Sequence, residues 1–85
     1  MKFELVTPEK LLMNCNTSYI RIPGNEGSFG VMDGHTPFVA TLENGGTLEV
    51  TEENGTTKNF VVTGGFAEIN PQSTTVLAEG IAQAL

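Results

Sequence analysis

The chain has 85 residues, a formal net charge of −6, 39% apolar and 16% charged residues, and a single cysteine. That length holds one domain and one core, with a net stability of about 4–13 kcal/mol and little apolar material to spare for a deep pocket. The composition excludes a disordered tail, and no apolar run nears the ~20 residues that cross a bilayer. The basic residues Lys2, Lys10, Arg21 and Lys58 are dispersed. They cannot neutralise a row of phosphates, so nucleic acid and an anionic lipid surface are both excluded as direct partners.

The opening stretch MKFELVTPEK carries Glu4 and Pro8. It has neither the long apolar stretch of a secretory signal nor the basic character of a transit peptide, so a reducing, cytosolic setting is expected. Cys15 alone allows no internal disulfide. In KFELV, Phe3 and Leu5 alternate with Lys2 and Glu4; in YIRIP, Ile20 and Ile22 alternate with Tyr19 and Arg21. This period of two predicts half-buried strands. The glycine-rich run GNEGSFGVMDGHTP (residues 24–37) follows as a projecting loop. Asn44-Gly45-Gly46 links VATLE to TLEVTE, where Leu48 and Val50 face inward. Asn54-Gly55 then predicts a hairpin between Leu48-Glu49-Val50 and Phe60-Val61-Val62, because both turn residues tolerate positive φ. Gly64-Gly65 precedes a strand with Ala67 and Ile69 on one face, and Asn70-Pro71 turns the chain into TTVLAE. Turn signals recur at about the 8–12-residue spacing of a sandwich or barrel. Eight or more short antiparallel strands in two packed sheets are expected. The tail EGIAQAL has good helix formers, but too few to nucleate a helix alone.

Three chemistries compete for the run at residues 24–37. A phosphate loop needs G-x-x-x-x-G-K-[ST] or G-x-G-x-x-G between a strand and a helix; Gly24, Gly27, Gly30 and Gly34 fit neither spacing, and turn or bulge use is favoured. One His and one Cys make no zinc-ligand cluster. Cys15 and His35 could form a thiolate–imidazole pair, but a lone cysteine in LLMNCNT reads as a small hydrophobe and His35 as a turn residue. Glu52-Glu53 beside the hairpin turn reads as solvated charge. Recognition remains: Phe29, Val31 and Met32 either project from the loop to meet a partner or fold back onto the core. From the residues alone the chain is an acidic β-sandwich that acts as a binding or assembly module.

The stretches VTPEKLL (6–12), IPGNEGSFGVMDGHTPFVATL (22–42), GTLEV (46–50), VTGGFAEINP (62–71) and TVLAE (75–79) resemble, in order and spacing, the N-terminal β-sandwich domain of the epsilon subunit of F-type ATP synthases. The blocks Gly24–Pro37 and Thr63–Ile69 are the most specific. The resemblance implies an all-β, flattened two-sheet antiparallel sandwich of about ten short strands over residues 1–80, with 81–85 a stub where the family's helical hairpin would begin. It implies a non-catalytic rotor subunit of the central stalk, held against the gamma subunit and the c-ring and coupling proton-driven rotation to ATP synthesis. It implies a peripheral place on the cytoplasmic face of the bacterial inner membrane, without insertion into lipid. Carried over by position, the ring contact comprises Glu26, Gly27, Ser28 and Phe29 with His35 nearby, and the gamma contact lies near Gly64, Gly65 and Phe66. Several relatives carry a carboxylate where Ser28 stands, which leaves Glu26 as the charge available for a basic ring residue. No cofactor is expected. The residues to Leu85 stop short of the hairpin, so neither ATP binding nor inhibition of hydrolysis is expected of them. The alternatives are a small thiol-dependent enzyme using Cys15 and His35, and a free-standing β-sandwich adaptor.

Overall fold

The computed structural model describes residues Met1–Leu85. It contains nine strands and no helix: β1 (Lys2–Val6), β2 (Leu11–Gly24), β3 (Gly27–Val31), β4 (Phe38–Thr41), β5 (Thr47–Glu52), β6 (Thr57–Val62), β7 (Gly65–Ile69), β8 (Ser73–Ala78) and β9 (Ile81–Ala84). The strands make two layers. Sheet A runs β4-β7-β8-β1-β2, and sheet B has β2 between β3 and β5, followed by β6 and β9. β2 belongs to both: Leu11–Asn16 pairs with β1, and Thr17–Gly24 pairs with β3 and β5. The ladder with β5 shifts register between Thr17 and Tyr19, the kind of bulge that bends and twists a strand enough to change sheets.

The alternating residues meet between the layers. Phe3 and Leu5 from sheet A and Ile20, Ile22, Leu48 and Val50 from sheet B are fully buried in one cluster with Val31, Val62, Ile69 and Val76. Burial of each such side chain contributes about 1.5–3 kcal/mol. The buried Thr74 hydroxyl donates to the Met1 sulfur at 3.4 Å, and Thr17 Oγ1 donates to the Met1 carbonyl at 3.4 Å.

Four details differ from the expectations. β1 and β8 pair in parallel, whereas the other strand pairs are antiparallel. Alternation marks the buried face of a strand but not its direction, and the six strands β2 to β7 intervene between these two in sequence. β2, at fourteen residues, is long. Asn44-Gly45-Gly46 joins no hairpin, since β4 pairs with β7 and β5 with β2 and β6; it carries the chain from sheet A to sheet B. Ile81–Ala84, expected to lie beyond the sandwich, pairs with β6 as β9. There Ile81 covers the core and the Leu85 amide donates to the Asn59 carbonyl at 2.7 Å, so tertiary pairing overrides helix propensity.

The Asn54-Gly55 hairpin forms as expected between β5 and β6, but only Gly55 takes a positive φ, +93°. The Asn54 side-chain oxygen instead accepts from the Thr56 amide at 2.9 Å. Gly65 is needed for another reason. Its φ is +116°, and a Cβ there would run into the Leu77 carbonyl and lie 2.9 Å from the Ala78 Cα. That close approach lets the chain pass from β6 in one sheet to β7 in the other.

Candidate functional site

The run at residues 24–37 is a hairpin and a short loop. β2 and β3 pair from Ile20↔Val31 to Gly24↔Gly27, which puts Asn25 and Glu26 at the tip. The tip is pinned to the end of β4: the Asn25 amide donates to the Thr41 carbonyl at 2.9 Å, and the Glu43 amide donates to the Pro23 carbonyl at 2.7 Å. The Gly34 amide donates to the Pro71 carbonyl at 2.8 Å, which ties the following loop to the turn before β8. The glycine block is therefore a braced structure, and no helix stands beside it to bind phosphate.

The alternative fates of the apolar loop residues divide. Val31 is fully buried and Met32 is exposed. Phe29 does both, half-buried against the core with its ring edge-to-face to Phe38 at 5.6 Å and 82°. The His35 ring lies 6.4 Å from that of Phe29, and its Nδ1 lies 2.7 Å from the Thr36 carbonyl oxygen, to which it donates when protonated. The structure thus brings together Glu26, Gly27, Ser28, Phe29 and His35 along one open groove of about 830 Å³, whose far wall is β4. Glu26 is the only formal charge among the lining residues, and no lysine or arginine borders it. Phe38, Val39 and Thr41 complete the wall and escaped the sequence reasoning. The signal present was PFVA, three apolar residues in a row where alternation would allow two inward at most.

Gly64, Gly65 and Phe66 do not line that groove, but they adjoin it, since Phe66 is the cross-strand partner of Thr41 in the groove wall. Gly64 is buried and its carbonyl accepts from the Glu79 amide at 2.9 Å, so it shapes the turn rather than offering a surface. Phe66 is exposed on the outer face of sheet A, where a smaller hollow of about 350 Å³ is lined by Val6, Pro8, Phe66, Leu77 and Glu79. The registers set Phe66 opposite Leu77, Leu77 opposite Val6 and Val6 opposite Leu11. These residues form an apolar row across four strands. The next row, Glu68, Thr75, Glu4 and Asn14, is polar and acidic. Sequence could have flagged Val6 and Leu77, because each is apolar on the face opposite the buried Leu5 and Val76.

Cys15 and His35 keep different company. Cys15 is half-buried on β2, packed against the core and opposite Phe3, whereas His35 belongs to the groove. Burial pushes the Cys15 thiol above its ordinary value, the Glu52 carboxylate raises it further, and Lys58 offsets part of this. A catalytic thiolate needs the opposite environment. No group of three or more His, Cys, Asp or Glu side chains comes together to hold a metal ion.

A two-layer sandwich with a braced hairpin groove at one edge and an apolar row across one outer face defines a β-sandwich domain with two candidate contact surfaces. Residues 1–84 match the family described as ATP synthase, Delta/Epsilon chain, beta-sandwich domain, and the chain belongs to that family. The chain is 49% identical over 76 residues to the ATP synthase epsilon chain of Desulfatibacillum aliphaticivorans, covering 89% of this chain and 53% of the relative. It is 46% identical over 78 residues to that of Brucella suis, covering 92% of this chain and 57% of the relative. The chain spans a little over half the length of these curated relatives. Among solved structures, it resembles a chain of the Euglena gracilis mitochondrial ATP synthase, seen as OSCP, F1 and c-ring in one rotational state, with a TM-score of 0.82, 29% identity and coverage of 98% of this chain and 51% of that one. A chain in the central stalk and c-ring of the Tetrahymena thermophila mitochondrial ATP synthase shares the fold, with a TM-score of 0.78, 22% identity and coverage of 95% and 64%.

Proposed function

We propose that this domain is the docking part of a non-catalytic rotor subunit in an F-type ATP synthase. The hairpin groove meets the c-ring, the outer face of sheet A meets the gamma subunit, and the domain transmits rotation between them. The observation that carries this reading is the gathering of Glu26, Gly27, Ser28, Phe29 and His35 along one outward groove. The apolar row through Phe66 supports a second contact, which adjoins the groove where Phe66 lies opposite Thr41. Family membership and the Euglena neighbour, itself part of an assembly with F1 and a c-ring, support the same setting. Bacterial relatives favour the cytoplasmic face of the inner membrane as its place. The domain does no bond-making in this account, and no ATP binding is assigned to it.

The groove is built for fit more than for charge. Ser28 stands where a carboxylate would strengthen attraction to a basic ring residue, which leaves Glu26, and an exposed ion pair contributes only about 0–1 kcal/mol. The gamma contact should bury at least ~800 Å² per partner. Size-exclusion chromatography with gamma from the same source tests that contact: the two should co-elute at micromolar concentration, and elution as separate species would overturn it.

A further inference from the structure

β4 is an edge strand whose second side is free except at its end, where the next residue, Leu42, bridges to Gly24 of β2. β7 pairs with it on one side and no strand of sheet A lies beyond it on the other. The Leu42 amide donates to the Gly65 carbonyl at 2.9 Å, while the Thr41 carbonyl accepts from Asn25 at 2.9 Å on the opposite side. In an antiparallel ladder alternate residues direct their N–H and C=O to the same neighbour. Phe38, Ala40 and Leu42 therefore turn toward β7, and Val39 and Thr41 turn toward the groove. Of their four groove-facing backbone groups, only the Thr41 carbonyl has a backbone partner, which leaves the Val39 N–H, the Val39 C=O and the Thr41 N–H.

We propose that the groove takes an extended segment of a partner, carrying a lysine or arginine, which adds to β4 as one further short strand over Val39–Thr41. This rests on the reading of the groove as the c-ring contact and specifies its mode: backbone pairing, with side chains as guides. Three unpaired groups in line match the alternating donors and acceptors of an extended chain. A three-residue segment is about 10 Å long, which the 830 Å³ groove accommodates. The ladder cannot lengthen in either direction, because Pro37 has no N–H and the Asn25–Thr41 bond closes the other end. Phe29 and Phe38 supply the aromatic wall, and Phe38 and Val39 are 50% and 63% exposed. The charge of the segment follows from Glu26 as the only formal charge on the lining, in a chain of net charge −6. A cation beside Glu26 and over an aromatic face is attracted by both.

Val39→Pro removes one groove-facing N–H and leaves the bonds to β7, and proline is tolerated on an edge strand when its N–H side faces outward. The test measures sedimentation of the gamma–epsilon complex with c-ring membranes from the same source, stripped of their soluble sector. Val39→Pro should weaken binding at least tenfold, and Val39→Ala, which keeps the N–H, less than threefold. Glu26→Gln should weaken binding and reduce its salt dependence. If Val39→Pro lowers the melting temperature, Thr41→Pro removes the other groove-facing N–H and is read in its place. Wild type that fails to sediment overturns the ring reading and the proposal with it. Wild type that sediments while both proline variants bind equally well overturns strand addition alone. A dimer of the free chain that Val39→Pro dissolves, with ring binding untouched, assigns the edge to a second copy and also overturns the proposal.

Discussion

The ring of Phe29 on β3 meets the ring of Phe38 on β4 edge-to-face, at 5.6 Å and 82°, and so joins the exposed edges of the two sheets. Such pairs contribute about 0.5–1.5 kcal/mol beyond their buried area. A double-mutant cycle with Phe29→Ala and Phe38→Ala, read by urea unfolding, should return a coupling of that size. Coupling near zero would mean that the groove walls stand independently.

Gly65 and Gly55 separate two reasons for glycine. Gly55 has a φ of +93°, and a Cβ added there would meet nothing within 4 Å, so Gly55→Ala should cost about 1–2 kcal/mol of backbone strain. Gly65 adds to its φ of +116° a collision with the backbone of Leu77 and Ala78 that no side-chain movement relieves. Gly65→Ala should cost roughly 3 kcal/mol or more, a large part of the stability of so small a domain. Thermal melts of the two variants should keep that order.

Much of the fold was legible before the structure. The alternation in KFELV, YIRIP and TLEVTE named Phe3, Leu5, Ile20, Ile22, Leu48 and Val50 as inward, and all six are fully buried. The Asn54-Gly55 turn was legible because its signal is local. Strand direction was not: β1 and β8 meet across most of the chain, and no local residue encodes a parallel pairing. The continuity of β2 was hidden because Asn14 to Ser18 are mostly polar where the strand changes sheets. β9 was hidden because its residues favour helix until β6 offers them an edge. Of the site, the hairpin side was readable from family resemblance, whereas β4 is brought to it by contacts distant in sequence: Asn25 with Thr41, Glu43 with Pro23 and Phe29 with Phe38.

Cys15 gives a pH prediction. Burial foremost, and then Glu52, hold its folded-state value above the unfolded one. The folded chain therefore keeps the thiol proton more tightly. The stability tied to that proton is fully present below the unfolded value of about 8.5 and is lost as pH rises through the folded value. Alkylation by iodoacetamide should show its midpoint above that of an unfolded control, lower in Glu52→Gln and higher in Lys58→Met. A midpoint below the control would revive the thiol-enzyme reading.

The apolar row on sheet A predicts a split between folding and docking. Leu77 is 36% exposed between Phe66 and Val6. Leu77→Ser should change unfolding free energy by no more than about 0.5 kcal/mol, as for other surface positions. The same change should weaken co-elution with gamma; unchanged affinity would move the gamma contact to another face.

The central claim is that the hairpin groove faces the c-ring in the assembled synthase. Cysteine cross-linking tests it most directly, in a Cys15→Ser background, from Ser28→Cys on β3 and from Gln83→Cys on β9 at the far edge of sheet B. Position 28 should cross-link to a cysteine in the c-subunit polar loop, and position 83 should not. Equal cross-linking from both positions, or cross-linking from position 83 alone, would contradict the account.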